Sequence, residues 1–246
     1  MEPSNKSLTI AASILGIALI LSVALGAHAF SKAKRLGNTM AVTGSAEKLV
    51  DSDTVKWSVS LARTVSPSEQ LTVGRLLNAD RVVFMNLIKT IGLDESSVSI
   101  QPMNIFPNME YNSQTGQSVL VGYTASQMLV IESSKVNEVG TLAQNASATL
   151  GEKSVNASTQ SIEYYYGKLT DVKLELLTEA TKNARARAEA IISGGGGHLG
   201  QVRSADTGVF QITAVNSADL SDYGTYDTSA MKKKVTAVVH VTFGLK

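Results

Sequence analysis

The apolar positions of this chain follow three different rhythms. The first is unbroken. Leu8 to Ala27 reads LTIAASILGIALILSVALGA without a charge, about the 20 residues that a helix needs to cross a bilayer core of roughly 30 Å. The second has period two: Val55, Trp57, Val59, Leu61 and Val65 alternate with Lys56, Ser58, Ser60, Ala62 and Thr64. That alternation predicts a strand with one buried side, interrupted on that side by Arg63. Thr39 to Lys48 is expected as its partner strand, with the turn at Asp51-Ser52-Asp53. The third rhythm is helical. Leu77, Phe84, Ile88 and Ile91 share one face of a helix that opens at Pro67 after Ser66 as cap and stops near Gly92.

The same signals organise the rest. Strands are predicted near Ser97 to Phe106 and Ser118 to Glu132, joined by the polar turn Tyr111 to Gly116. On the second, Val119, Val121, Tyr123, Ala125, Leu129 and Ile131 are assigned to one face, with Gln127 interrupting it. A helix from Ser134 to Leu150 and a strand from Val155 to Tyr165 follow. A long helix then starts at Lys168, with Leu169, Val172, Leu176, Ala180, Ala184, Ala188 and Ile191 on its inner side, where the alanines allow close approach to a neighbour. The last strand, Val235 to Phe243, is expected to pair with one in Gln201 to Ala214 across a polar loop, Asn216 to Ser229. Strands and helices do not alternate regularly and no tandem repeat appears. The fold class is α+β: mostly antiparallel sheet with packed helices, preceded by one N-terminal transmembrane or signal helix. The expected division is 1–30 membrane anchor or signal segment, 31–38 basic linker and 39–246 α+β domain.

Composition narrows the function. A chain of 246 residues with a net charge of +1 lacks the basic footprint of a nucleic-acid binder. Without cysteine it has no thiolate nucleophile, thiolate metal site or disulfide frame. Ala27-His28-Ala29 before Phe30 has the form of a signal-peptidase site, whereas the apolar run is longer than a usual signal-peptide core. The segment is therefore either kept as an anchor, the reading preferred, or cleaved after Ala29. Lys32, Lys34 and Arg35 behind it, against Lys6 and Glu2 in front, would place the domain in the cytoplasm by the positive-inside tendency. The short N-terminal flank and the size of the domain favour export instead.

Candidate chemistry is sparse. Gly194 to Gly197 follow a helix rather than precede one, so they sit at the negative end of its dipole, which repels a phosphate; a helix C-cap is expected there. His28, His198 and His240 have no metal-ligand spacing, and no G-x-S-x-G elbow marks a nucleophile. Asp219, Asp222 and Asp227 depart from a calcium loop. Arg185 and Glu189 read as a solvated pair, and Tyr164, Tyr165 and Tyr166 as half-buried rings or a contact surface. No catalytic, cofactor-binding or metal-binding residue is assigned, and no cofactor is expected.

Several segments carry a resemblance: VTGSAEKLVDSDTVKWSVSLART, GLDESSVSIQPMNIFP, TGQSVLVGYTASQMLVI, ATKNARARAEAIISGGGGHLGQV and YGTYDTSAMKKKVTAVVHVTF. Over about Met40 to Phe243 the chain resembles the SIMPL-domain family, which includes YggE-like proteins and the periplasmic immunogenic proteins of bacteria. The resemblance implies an exported or membrane-attached α+β protein linked to envelope stress and self-association. It transfers no active-site residue. The expectation is a non-catalytic, envelope-facing structural or assembly protein in the bacterial inner membrane. It would meet the bilayer through residues 8–27, with its domain in the periplasm, and form a homo-oligomer beyond a dimer. The alternative is a hydrolase, or a small-ligand or peptide-binding module, with an unrecognised site. Val119 to Val130 and Val235 to Phe243 contain neither proline nor charge, so at least one is offered as a pairing edge for assembly, an interior place in the sheet being the alternative.

Overall fold

The computed structural model describes residues 5–36, 38–219 and 221–245. Glu2, Gly37 of the expected linker and Leu220 of the polar loop lie outside the described residues. In chain order the elements are α1 (Asn5–Leu36), β1 (Thr39–Asp51), β2 (Thr54–Val65), α2 (Val73–Lys89), β3 (Val98–Ile100), β4 (Asn104–Asn112) and β5 (Gln117–Ser133). After these come α3 (Val136–Gly151), β6 (Asn156–Tyr165), α4 (Leu169–Gly194), β7 (Leu199–Thr207), β8 (Gln211–Ala214), β9 (Thr225–Tyr226) and β10 (Lys232–Leu245). The class is α+β, with two mostly antiparallel sheets. Ser31 to Leu36 continue the apolar helix, so α1 runs past the end of the uncharged span.

The chain divides into two compact units. In the larger, Glu47–Leu174 with Val209–Thr236, β2 is central, pairing with β5 on one side and β6 on the other. Apart from Arg63, one side of β2 is apolar, and packed helices cover it. Val55, Trp57, Val59 and Leu61 are fully buried under α2 and α3, with the Trp57 and Phe84 rings 5.6 Å apart. The Trp57 indole donates to Thr159 Oγ1 at 3.1 Å, which satisfies its buried polar end. The Pro67 start is a 3-10 turn, Pro67–Thr72, before α2. The Glu69 carboxylate there accepts from the Ser66 hydroxyl. Arg63 is explained as well: its guanidinium forks onto Asp80 of α2, Nε donating to Oδ2 at 2.7 Å. That pair ties strand to helix.

The smaller unit is formed by Glu175–Gly208, Ala237–Lys246 and the chain up to Ala46. Its core is made of small residues on one side, Ala180, Ala184 and Ala188, and of Val239, Val241 and Phe243 on the other. Gly44 of β1 comes so close to α4 that a Cβ there would lie 2.1 Å from the Ala180 carbonyl oxygen. The alanine stripe thus does what its spacing suggests. Ile191, in the last turn of α4, is 59% exposed and falls outside the stripe.

Three expectations are corrected, and a fourth in part. β1 is not the partner of β2; it pairs with β10, and the Asp51 to Asp53 turn passes the chain to the other sheet. The Ser97 to Phe106 strand is two strands, broken around Pro102, which has no N–H to donate. Val121 is the extra residue of a bulge, Asn108 facing Gly122 and Met109 facing Leu120, so Val119 is shifted to the opposite face from Ala125. Of the two charge-free segments, Val235 to Phe243 is interior, β10 lying between β1 and β7 with β8, whereas Val119 to Val130 is interior only from Tyr123 onward, between β2 and β3 with β4, and is open on the β2 side before it. A strand paired on both sides has no exposed backbone to protect, so it needs neither charge nor proline. The observed edge strand β4 carries both, Glu110 and Pro107. The polar loop after Asn216 also contains β9, parallel to β8.

Candidate functional site

Most residues considered from sequence have local structural roles. Gly194 ends α4; the Gly195 and Gly197 amides donate to Ile192 O, and Gly196 has φ of 74°. This is the helix cap expected there. His28 and His198 are exposed, and His240 bonds Thr43 Oγ1 at 3.0 Å. Asp219 is engaged with Ser217, while Asp227 accepts from the Ser229 amide and hydroxyl and from the Ala214 amide. Among the described residues no three His, Cys, Asp or Glu side chains converge as a metal site. Arg185 and Glu189 pair on the exposed face of α4.

The three tyrosines separate. Tyr164 is buried in the core, its hydroxyl raised in pKa by that burial, while Tyr165 and Tyr166 line a cleft of about 420 Å³. β-strand register explains the cleft. Glu132, Lys56 and Glu163 are aligned across β5, β2 and β6, on the side of the sheet away from Trp57, and Tyr165 faces Thr54 one step further. The Tyr165 hydroxyl donates to Glu163 Oε2 at 2.5 Å. That bond holds the carboxylate below its usual range and pushes the phenol up to about 12. Tyr226 closes the cleft, its ring 6.2 Å from that of Tyr165. On its other side Tyr226 helps line a second cavity of about 510 Å³ with Lys173, Phe210, Ile212 and Tyr223.

What fixes Tyr226 is a residue not singled out from the sequence. Lys233 is completely buried, and its ammonium donates to Asp227 O at 2.5 Å and Ala230 O at 2.7 Å while lying over the Tyr226 ring. Burial lowers its pKa, and the Asp227 charge opposes that shift. The ammonium clasps the chain that presents Tyr226. A signal existed: Lys233 is in phase with Val235, Ala237, Val239, Val241 and Phe243, the buried side of β10. Inside a run of three lysines it reads as solvated. The cleft offers aromatic faces and charges of both signs, Lys56 and Glu132 among them, which suits binding; the Tyr165 hydroxyl is committed to Glu163.

The SIMPL family, described as a protein of unknown function (DUF541), matches residues 40–243. No curated protein matches the chain.

Proposed function

This chain belongs to the SIMPL family, and from that premise we propose that it is a non-catalytic assembly protein anchored in the inner membrane and facing the bacterial envelope. The observation that carries the reading is α1. Thr9–Ser31 form a 23-residue span of mean hydropathy 2.4, with none of its apolar window buried against the rest of the protein. A fully exposed uncharged helix of that length is costly in water and suited to lipid. The apolar run is longer than a usual signal-peptide core, which supports retention over cleavage. The domain would lie in the periplasm and associate with itself beyond a dimer, in a role connected with envelope stress. Many anchored copies would gain avidity at the membrane.

A second reading, a module for a small ligand or peptide, is favoured by the tyrosine cleft, which has the size and mixed lining of such sites. Topology is the first test. The chain has no cysteine, and Tyr223 is 96% exposed. Tyr223→Cys in full-length protein should react with a membrane-impermeant maleimide once the outer membrane is opened and the inner membrane is intact. Labelling only after inner-membrane lysis would place the domain in the cytoplasm and end the envelope-facing reading. Intact mass of the extracted protein decides retention, since a product beginning at Phe30 would show cleavage.

A further inference from the structure

The apolar side of the β2-centred sheet continues past its helical cover. β2 ends at Val65 opposite Tyr123, whereas β4 and β5 go on pairing to Asn112 and Gln117. Beyond that point the sheet is a two-stranded arm. Its register sets Ile105, Pro107, Met109 and Tyr111 beside Leu120 and Tyr123, on the side that Ala125, Leu129 and Ile131 bury in the core. These side chains are open: Ile105, at the root of the arm, is 47% exposed, and Met109 and Tyr111 on the arm are 56% and 66% exposed. The opposite side is mostly polar, with Asn104, Asn108, Glu110 and Asn112 beside Phe106 and Val119. A two-stranded hairpin is marginal in water, and a contiguous apolar face of this kind marks an interaction surface.

The chemistry of the arm discriminates among occupants. A bilayer would bring the unpaired backbone of the β4 edge into hydrocarbon, and no Lys or Arg stands between Asn104 and Gly122 to meet headgroups. A strand added at the β4 edge meets Pro107, which has no N–H, and the charge of Glu110, and one added at the open β5 edge, Gln117 to Gly122, leaves the apolar face uncovered. Face-to-face cover by another amphipathic β surface has neither difficulty. We infer that this cover is the same hairpin of a second copy, apolar face on apolar face about a two-fold axis. Ordinary side-chain areas scaled by the observed exposures give roughly 400 Å² of apolar surface per copy. Two copies would bury roughly 800 Å², the size of a weak contact that gains from anchoring both copies in one membrane. A two-fold contact uses one patch twice, and Glu110 on the polar side keeps like charges out of the seam. The inference rests on the self-association proposed above and gives it a surface. It accounts for a dimer, and growth beyond that requires another contact.

Full-length protein in detergent provides the test. Met109→Cys should be joined into a covalent dimer by a short bismaleimide, and Glu110→Cys, on the other side of the same strand, should not. Met109→Glu should weaken association at least about a hundredfold in sedimentation, because each dimer would bury two unpaired charges. Equal crosslinking at both positions would overturn the hairpin surface, as would a wild-type mass above the monomer that Met109→Glu leaves unchanged, and self-association itself would then stand. A wild-type chain that is monomeric at every micromolar concentration overturns both. Should Met109→Glu fail to fold, the two cysteine variants still decide.

Discussion

The two units bury apolar surface by opposite means. Around β2 the core is filled with volume: Trp57, Phe84, Leu61, Leu77, Leu129 and Ile131 interlock beneath α2 and α3. Around Gly44 it is closed by removing volume, so that the backbone of β1 lies against Ala180 and Ala184 of α4. The lesson is that sensitivity to mutation should have opposite sign in the two places. A volume-filled core fails when atoms are removed, and a close-approach core fails when they are added.

Four experiments break or sharpen that contrast. Trp57→Ala should cost about 3–5 kcal/mol in denaturant unfolding, since it leaves a cavity and frees the Thr159 hydroxyl. Gly44→Ala should cost about 3 kcal/mol, because the new methyl meets main-chain atoms that cannot rotate away. Hydrogen exchange at 237–245 would register that loss first. A Gly44→Ala protein with wild-type stability would erase the distinction. Asp80→Asn should cost about 2 kcal/mol, reduced from the value for a fully buried pair because Arg63 is part-exposed. That measurement asks whether the larger core needs its ionic tie as well as its volume.

The smallest effect is a control outside both cores. The bond between Tyr165 and Glu163 should stabilise by less than about 1 kcal/mol after solvent screening. Glu163 has a lowered folded pKa, so its contribution is present above the carboxylate range and is lost as pH falls through the folded value. Tyr165 is raised to about 12, so the same bond is lost as pH rises from the ordinary phenol value through 12. Tyr165→Phe should flatten both limbs of a plot of stability against pH, and an unchanged profile would show that the bond contributes nothing.

Periodicity made most of the fold legible. The inner side of β2, the Leu77 to Ile88 face of α2 and the alanine stripe of α4 are each visible in one chain segment, because burial repeats with the element's own period. Pairing was less legible. An uncharged strand and an unprotected edge look alike in sequence, and only the observed neighbours of β5 and β10 distinguish them. The bulge at Val121 was invisible for a related reason, since one inserted residue exchanges faces without altering composition. The cleft depends on register across three strands and on Lys233, whose phase along β10 marked it as buried while its lysine neighbours masked the signal.

One topological feature bears on how the protein is made. β10 gives Lys232 to Thr236 to the larger unit and Ala237 to Leu245 to the smaller. Val235 is buried in the first and Val239, Val241 and Phe243 in the second. During synthesis, therefore, the smaller core cannot close until β10 has emerged, although α1 is completed near the start. The smaller unit thus stays threadable until its last strand is made, which is the state that the export proposed above requires.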